Sequence, residues 1–287
     1  MHRILHPFLC TALAGALAVG LTPAVAHATV PQAGDRPTKI VSLSPTATEM
    51  LFAIGAGAQV VAVDDQSNFP ERAPTTDLSG YTPNVEAIAG YDPDLVVLPD
   101  PQVRGQLEDL DILVLVLPAA TRLADSYAQI RKLGRATGHQ RSADALAKEM
   151  RADIADLAAQ VPDGGPKPTT YYELDETYFS ADSSTFIGRL LRIGGFDNIA
   201  DGAKAESPGY PQLSSEAIVD ADPDTVFLAD TKCCAQTAET FGTRPGFEAL
   251  TAVAEDHVVA LDDDVASRWG PRVVELLRQI VKARQQL

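Results

Sequence analysis

The chain has 287 residues and a formal net charge of −16, with an apolar content of 45%. That length allows one large or two medium domains, and the apolar content is that of a globular chain. The acid excess excludes nucleic acid as an expected partner, because phosphate backbones are bound by basic stripes.

Residues 1–28 read as a signal peptide. Arg3 supplies the basic start, residues 9–21 a short apolar core, and Ala26-His27-Ala28 a small–x–small cleavage site, so maturation is expected near Ala28. Cys10 precedes most of the apolar run and lacks a small residue before it, which makes it a poor lipidation site. The mature chain is therefore expected in the periplasm or an equivalent envelope space.

Beyond a polar lead, residues 39–43 read as a buried strand. Pro45 stands at a first helical position, and Thr46 to Glu49 matches a capping box. The helix ends at Gly55, and residues 59–63 form the next strand. After a loop over 64–83, a helix is expected at 85–89, a strand at 95–98, a helix at 103–110, a strand at 112–117 and a helix at 123–137. Residues 142–160 carry Leu146, Met150, Ile154 and Leu157 at helical spacing and read as one long helix. A second alternating run follows, with strands at 169–174 and 257–261 and helices at 185–193 and 271–284. Strands alternating with helices predict parallel sheets with helical crossovers. The expected organisation is a first α/β lobe over 38–138, a connecting helix within 139–165 and a second α/β lobe over 166–287. A helical connector is stiffer than a Gly/Ser linker, so large hinge closure is not expected.

One pattern occurs twice. Glu86-Ala87-Ile88, Asp92-Pro93-Asp94, Val96, Leu98 and Asp100 return 130 residues later as Glu216-Ala217-Ile218, Asp222-Pro223-Asp224, Val226, Leu228 and Asp230. A long-period repeat points to two similar lobes, each with one Glu opening a short helix.

No catalytic constellation is present: the sequence has neither a Gly-x-Ser-x-Gly elbow nor a phosphate-binding loop, and the mature chain has too few histidines for a common zinc site. In open α/β sheets, ligands bind outside the carboxyl ends of the strands. Candidates there are Ser44, Thr46, Gln66, Tyr81, Asp100, Tyr178, Tyr210, Arg244, Arg268 and Trp269, the only tryptophan. Cys233 and Cys234 are adjacent and allow three states: a strained vicinal disulfide, a free pair, or a soft-metal site.

Four stretches carry a family resemblance: Ile40 through Glu49, Asn84 through Val96, Gln212 through Glu216, and Ala266-Ser-Arg-Trp-Gly-Pro-Arg272. Together they resemble the iron-siderophore/cobalamin type of ABC-transporter substrate-binding protein, like the vitamin B12 and ferric hydroxamate binding proteins. The resemblance implies two lobes joined by one rigid helix, with the ligand held between them. It also implies a monomeric, non-enzymatic receptor without a cofactor, delivering a metal chelate to an ABC permease dimer. Family members place one Glu on each lobe against permease arginines, and those positions match Glu86 and Glu216. Arg268 matches a position at the cleft mouth. Aromatic walls are sparse in the first lobe, where Gly80-Tyr81 and Pro99-Asp100 replace tryptophans of the cobalamin binders. That ranks a ferric siderophore first, a haem- or cobalamin-binding member second, and an envelope scaffold of the same fold third.

Overall fold

The computed structural model describes residues 36–162 and 164–287; the expected signal peptide lies outside the described residues. Two four-stranded parallel sheets organise the chain. The first contains β1 (Ile40–Ser42), β2 (Val60–Val63), β3 (Leu95–Leu98) and β4 (Leu113–Val116), in the order β2-β1-β3-β4. Its crossovers are α1 (Pro45–Ala53), α2 (Val85–Ala89) and α3 (Arg104–Glu108), and α4 (Leu123–Thr137) closes the lobe. A 19-residue helix, α5 (Gln140–Ala158), follows.

The second sheet contains β5 (Thr169–Glu173), β6 (Asp197–Asn198), β7 (Thr225–Leu228) and β8 (Val258–Ala260), in the order β6-β5-β7-β8. Taken in chain order, both sheets have the same second-first-third-fourth arrangement. The helices here are α6 (Phe186–Ile193), α7 (Ser215–Ala221), α8 (Ala238–Gly242), α9 (Thr251–Ala254), α10 (Asp263–Ala266) and α11 (Val273–Arg284).

Local chemistry accounts for the helix starts. Asn84 and Ser214 accept the amide N–H of Ala87 and Ala217 at 2.9 and 3.1 Å. Ser44 caps α1 with Pro45 in the first turn. The capping box expected at Thr46 and Glu49 is not formed. Ser44 takes the cap position, and the Glu49 side chain turns to arginines of the second lobe.

Strands β3 and β7 are buried along their whole length. The Val/Leu-rich composition of β3 is what covering both faces of a parallel sheet requires. Each sheet has a small apolar cluster on one face, around Ile88 and Leu107 in the first lobe and Ile218, Phe241 and Phe247 in the second. A larger cluster spans both lobes. It joins Met50 and Leu51 of α1, Leu133 of α4, Ala147 and Met150 of α5, Leu190 of α6, and Leu277 and Ile280 of α11. Gly134 lets α4 lie against Ala143 of α5, since any Cβ at that position would collide with it. The connecting helix therefore packs its apolar face against both lobes and leaves the opposite face exposed. Among the described residues, no helix is long and apolar enough to cross a membrane.

Candidate functional site

The carboxyl ends of β1, β2 and β3 deliver residues 43–44, the 64–84 loop and Asp100, while those of β5, β7 and β8 deliver residues 174–182, 230–237 and 261–264. Residues 264–272 then run onto the first lobe. Arg268 Nη1 donates to Glu49 Oε1 at 2.8 Å, and its Nη2 donates to Asp264 at 2.5 Å and to the Gln66 carbonyl at 2.9 Å. Arg272 grips the same Glu49 at 2.5 and 3.1 Å. Asn68 Nδ2 adds a 2.9 Å bond to Asp264. Burial raises the Asp264 carboxyl, but Lys232, Asn68 and Arg268 outweigh it and hold its pKa below the usual carboxylate range. Beside this network, Trp269 Nε1 donates to Gln129 of α4 at 2.9 Å, and its carbonyl accepts the Ser126 hydroxyl at 2.5 Å.

Several sequence candidates are corrected by this geometry. Arg268 is only 6% exposed and is saturated by Glu49, Asp264 and Gln66, so it ties the lobes together and does not stand free at a cleft mouth. Arg244 is likewise committed: it makes a bidentate pair with buried Glu173 at 2.7 Å, donates to Gln236, and stacks over Tyr178, Phe241 and Phe247. Ser44 and Thr46 are buried, and the Ser44 hydroxyl is used as a helix cap. Trp269 belongs to the seam between the lobes.

Gln66 and Tyr81 remain accessible in the first lobe, Tyr81 at 82%. Tyr81 follows Gly80, whose backbone lies close to the Leu43 carbonyl just past β1, which places Tyr81 on the strand-carboxyl side. Asp100 is half-buried and accepts the Gln102 amide at 2.8 Å. In the second lobe, Tyr210 is 42% exposed, on a loop held beside residues 180–182. Tyr178 is half-buried, with a positive φ of 71°. The structure thus leaves an exposed tyrosine on the strand-carboxyl side of each lobe.

Sequence reasoning missed the acids that hold these arginines, which are Glu49, Glu173 and Asp264. Asp230 is fully buried, with neither carboxyl oxygen hydrogen-bonded among the described residues. Burial, and next the negative charge of Glu173, push its pKa up to about 7, and Arg244 opposes the shift. Asp64 is buried as well, and desolvation raises it to about 6 although Ser67 donates to it. The repeat held a signal for Asp230, since its counterpart Asp100 was already a candidate.

Glu86 and Glu216 occupy the first turns of α2 and α7. Those helices begin where the chain arrives from strand-carboxyl ends, so both carboxylates lie on the side of the sheets that also bears Tyr81 and Tyr210. The alternation of buried and exposed positions is the same from Pro83 to Gly90 as from Leu213 to Asp220. Both glutamates are exposed, and neither forms an ion pair among the described residues. The amide of Glu216 and the hydroxyls of Ser214 and Ser215 hold its carboxyl below the usual range.

Comparison with known proteins gives a consistent result. The family described as periplasmic binding protein matches residues 40–265. A cobalamin-binding protein of Halobacterium salinarum is 34% identical over 262 residues, 86% of this chain and 69% of the relative. An ABC transporter substrate-binding lipoprotein of Bacillus subtilis is 29% identical over 86% of this chain and 80% of its own length. Among solved structures, the periplasmic vitamin B12 binding protein of Vibrio cholerae superposes with a TM-score of 0.71 at 25% identity, covering 87% of this chain and 97% of that one. These relatives are binding proteins and not enzymes.

Proposed function

The chain belongs to the periplasmic binding protein family, and from that premise we propose that it captures a corrinoid in the envelope and hands it to an ABC permease dimer. The observation that carries the ligand assignment is the cobalamin-binding relative, 34% identical across 86% of the chain. The sequence alone ranked a ferric siderophore first, because the first lobe is poor in aromatic residues. The cobalamin-binding relative supports ranking a corrinoid ahead of it. The free groups at the strand ends are compatible with that ligand: Tyr81 and Tyr210 offer apolar faces with polar tips, and Gln66 and Asp100 offer hydrogen bonds. Pockets for bulky ligands combine apolar walls with a few polar groups in this way.

Glu86 and Glu216 are the docking points in this reading, meeting cationic residues of the permease. An exposed ion pair is individually weak, but two held at a fixed separation set orientation and act with a high effective concentration. The protein works as an exported monomer, with no cofactor of its own.

Calorimetric titration of the mature protein with hydroxocobalamin, haemin and a ferric hydroxamate tests the assignment. Saturable one-to-one binding is expected for hydroxocobalamin. Tight binding of the ferric hydroxamate without hydroxocobalamin binding would return the ligand to the iron chelates, and binding of none would remove the capture role.

A further inference from the structure

The turn between β7 and α8 carries Thr231, Lys232, Cys233 and Cys234. It leaves the carboxyl end of β7, on the same side of the sheet as Tyr178 and Tyr210. Its backbone is held from two directions. Asp263 accepts the amide N–H groups of Lys232 and Cys233, each at 2.9 Å, and the Thr231 hydroxyl at 2.8 Å. The Asp230 carbonyl accepts the amides of Cys234 and Gln236 at 3.2 and 3.4 Å. The sulfurs take no part in this anchoring. The two free thiols face each other in direct contact. Cys233 is exposed and Cys234 partly so, which leaves both within reach of another molecule.

The surroundings disfavour a thiolate here. Burial, then the adjacent Cys234, then Asp263 and Asp230 push the Cys233 thiol up to about 12. Asp230 adds to this from directly before the turn, with a buried carboxyl that no donor satisfies among the described residues. A disulfide is neutral and escapes that repulsion.

We propose that Cys233 and Cys234 form a reversible redox site, closed to a vicinal disulfide by exchange with a disulfide carrier of the envelope. The Cys234 sulfur gives its proton to solvent and attacks one sulfur of the carrier disulfide. The carrier S–S bond breaks, a mixed disulfide forms, and one carrier thiolate leaves. Cys233 then loses its proton and attacks the Cys234 sulfur, expelling the second carrier thiolate. Two electrons pass to the carrier, and the two released protons balance its conversion to a dithiol. Adjacent α-carbons lie about 3.8 Å apart across a trans peptide, short of the roughly 4.4–6.8 Å of unstrained bridges. Strained, exposed bridges are the labile ones, so closure is reversible. It also pulls on a turn that Asp263 grips, next to the Asp264 that bonds Asn68 and Arg268 of the seam.

Mature protein treated with oxidised glutathione, then denatured and alkylated with iodoacetamide, reads the site directly by intact mass. No adduct is expected without reductant, and two are expected after dithiothreitol. Hydrogen exchange over residues 230–236 should differ between the two states, and the C233S/C234S double variant should show no response to either reagent. Two adducts without reductant, a disulfide-linked dimer in place of the internal bridge, or identical exchange in both states would overturn the proposal. None of these readouts needs a bound ligand, so failure of the corrinoid assignment would leave them interpretable.

Discussion

Asp230 and Glu173 follow or close adjacent strands, and the arginine beside them pairs with Glu173 alone. Arg244 neutralises Glu173, which leaves Asp230 as the surplus acid beside it and Tyr171. Its folded-state pKa of about 7 lies above the ordinary carboxyl value, so the folded protein retains a proton that the unfolded chain has released. Stability contributed here therefore falls as pH rises from about 4 to about 7, and then levels. Asp230→Asn should raise the melting temperature by an amount that grows over that window; a gain independent of pH would contradict the account. Glu49 makes the opposite case. It is one carboxylate between two arginines, and Glu49→Ala leaves buried Arg268 and half-buried Arg272 each short of a partner. Removing one side of a buried pair costs about 3–5 kcal/mol, which denaturant unfolding would register. Neither role was legible in the sequence. A loop arginine reads as a free binding group until its acid is found, and Glu49 lies 219 residues from Arg268. Thr46 to Glu49 had a local explanation as a capping box, and only packing of the two lobes displaced it.

At the scale of elements, the repeat carried most of the information. The pairs α2–β3 and α7–β7 have a side-chain N-cap at the same position, the same exposure pattern and an equivalent buried Ile, Ile88 and Ile218. Asn84→Ala and Ser214→Ala should each cost about 1 kcal/mol by loss of the cap, with hydroxocobalamin affinity unchanged. Replacing Glu86 and Glu216 together by Ala should abolish uptake in cells while leaving binding by the purified protein intact. Loss of binding in that double variant would sink the docking assignment. Strands β1, β3 and β7 and the long helices were readable because Gly and Pro punctuate strong apolar patterns. The two-residue β6 and the short α8, α9 and α10 were not. Each is too brief to carry a period, and each depends on contacts made elsewhere, as when Asp263 of α10 holds the cysteine turn.

For the whole molecule, the expected two α/β lobes follow from alternation, because parallel strands require crossovers, and the helical connector from the spacing of Leu146, Met150, Ile154 and Leu157. The contact of α5 with both lobes was less apparent. It packs against α4 through Gly134 and Ala143 and shares one apolar cluster with α11. A connector packed against both lobes resists bending, so scattering curves of the mature protein should give the same radius of gyration with and without saturating hydroxocobalamin. A contraction of several ångströms would instead show that the lobes swing. Long-range polar bonds add to the apolar cluster shared by the two lobes, and sequence patterns do not encode them.

Trp269 gives that seam an optical address. Its indole N–H is bonded to Gln129 and its carbonyl to Ser126, both on the opposite lobe. As the chain's single tryptophan, it makes the protein's emission spectrum a readout of one contact. Any event that parts the lobes must hydrate that indole and shift its emission to the red, before secondary structure is lost. The protein thus reports its own lobe separation without an added label.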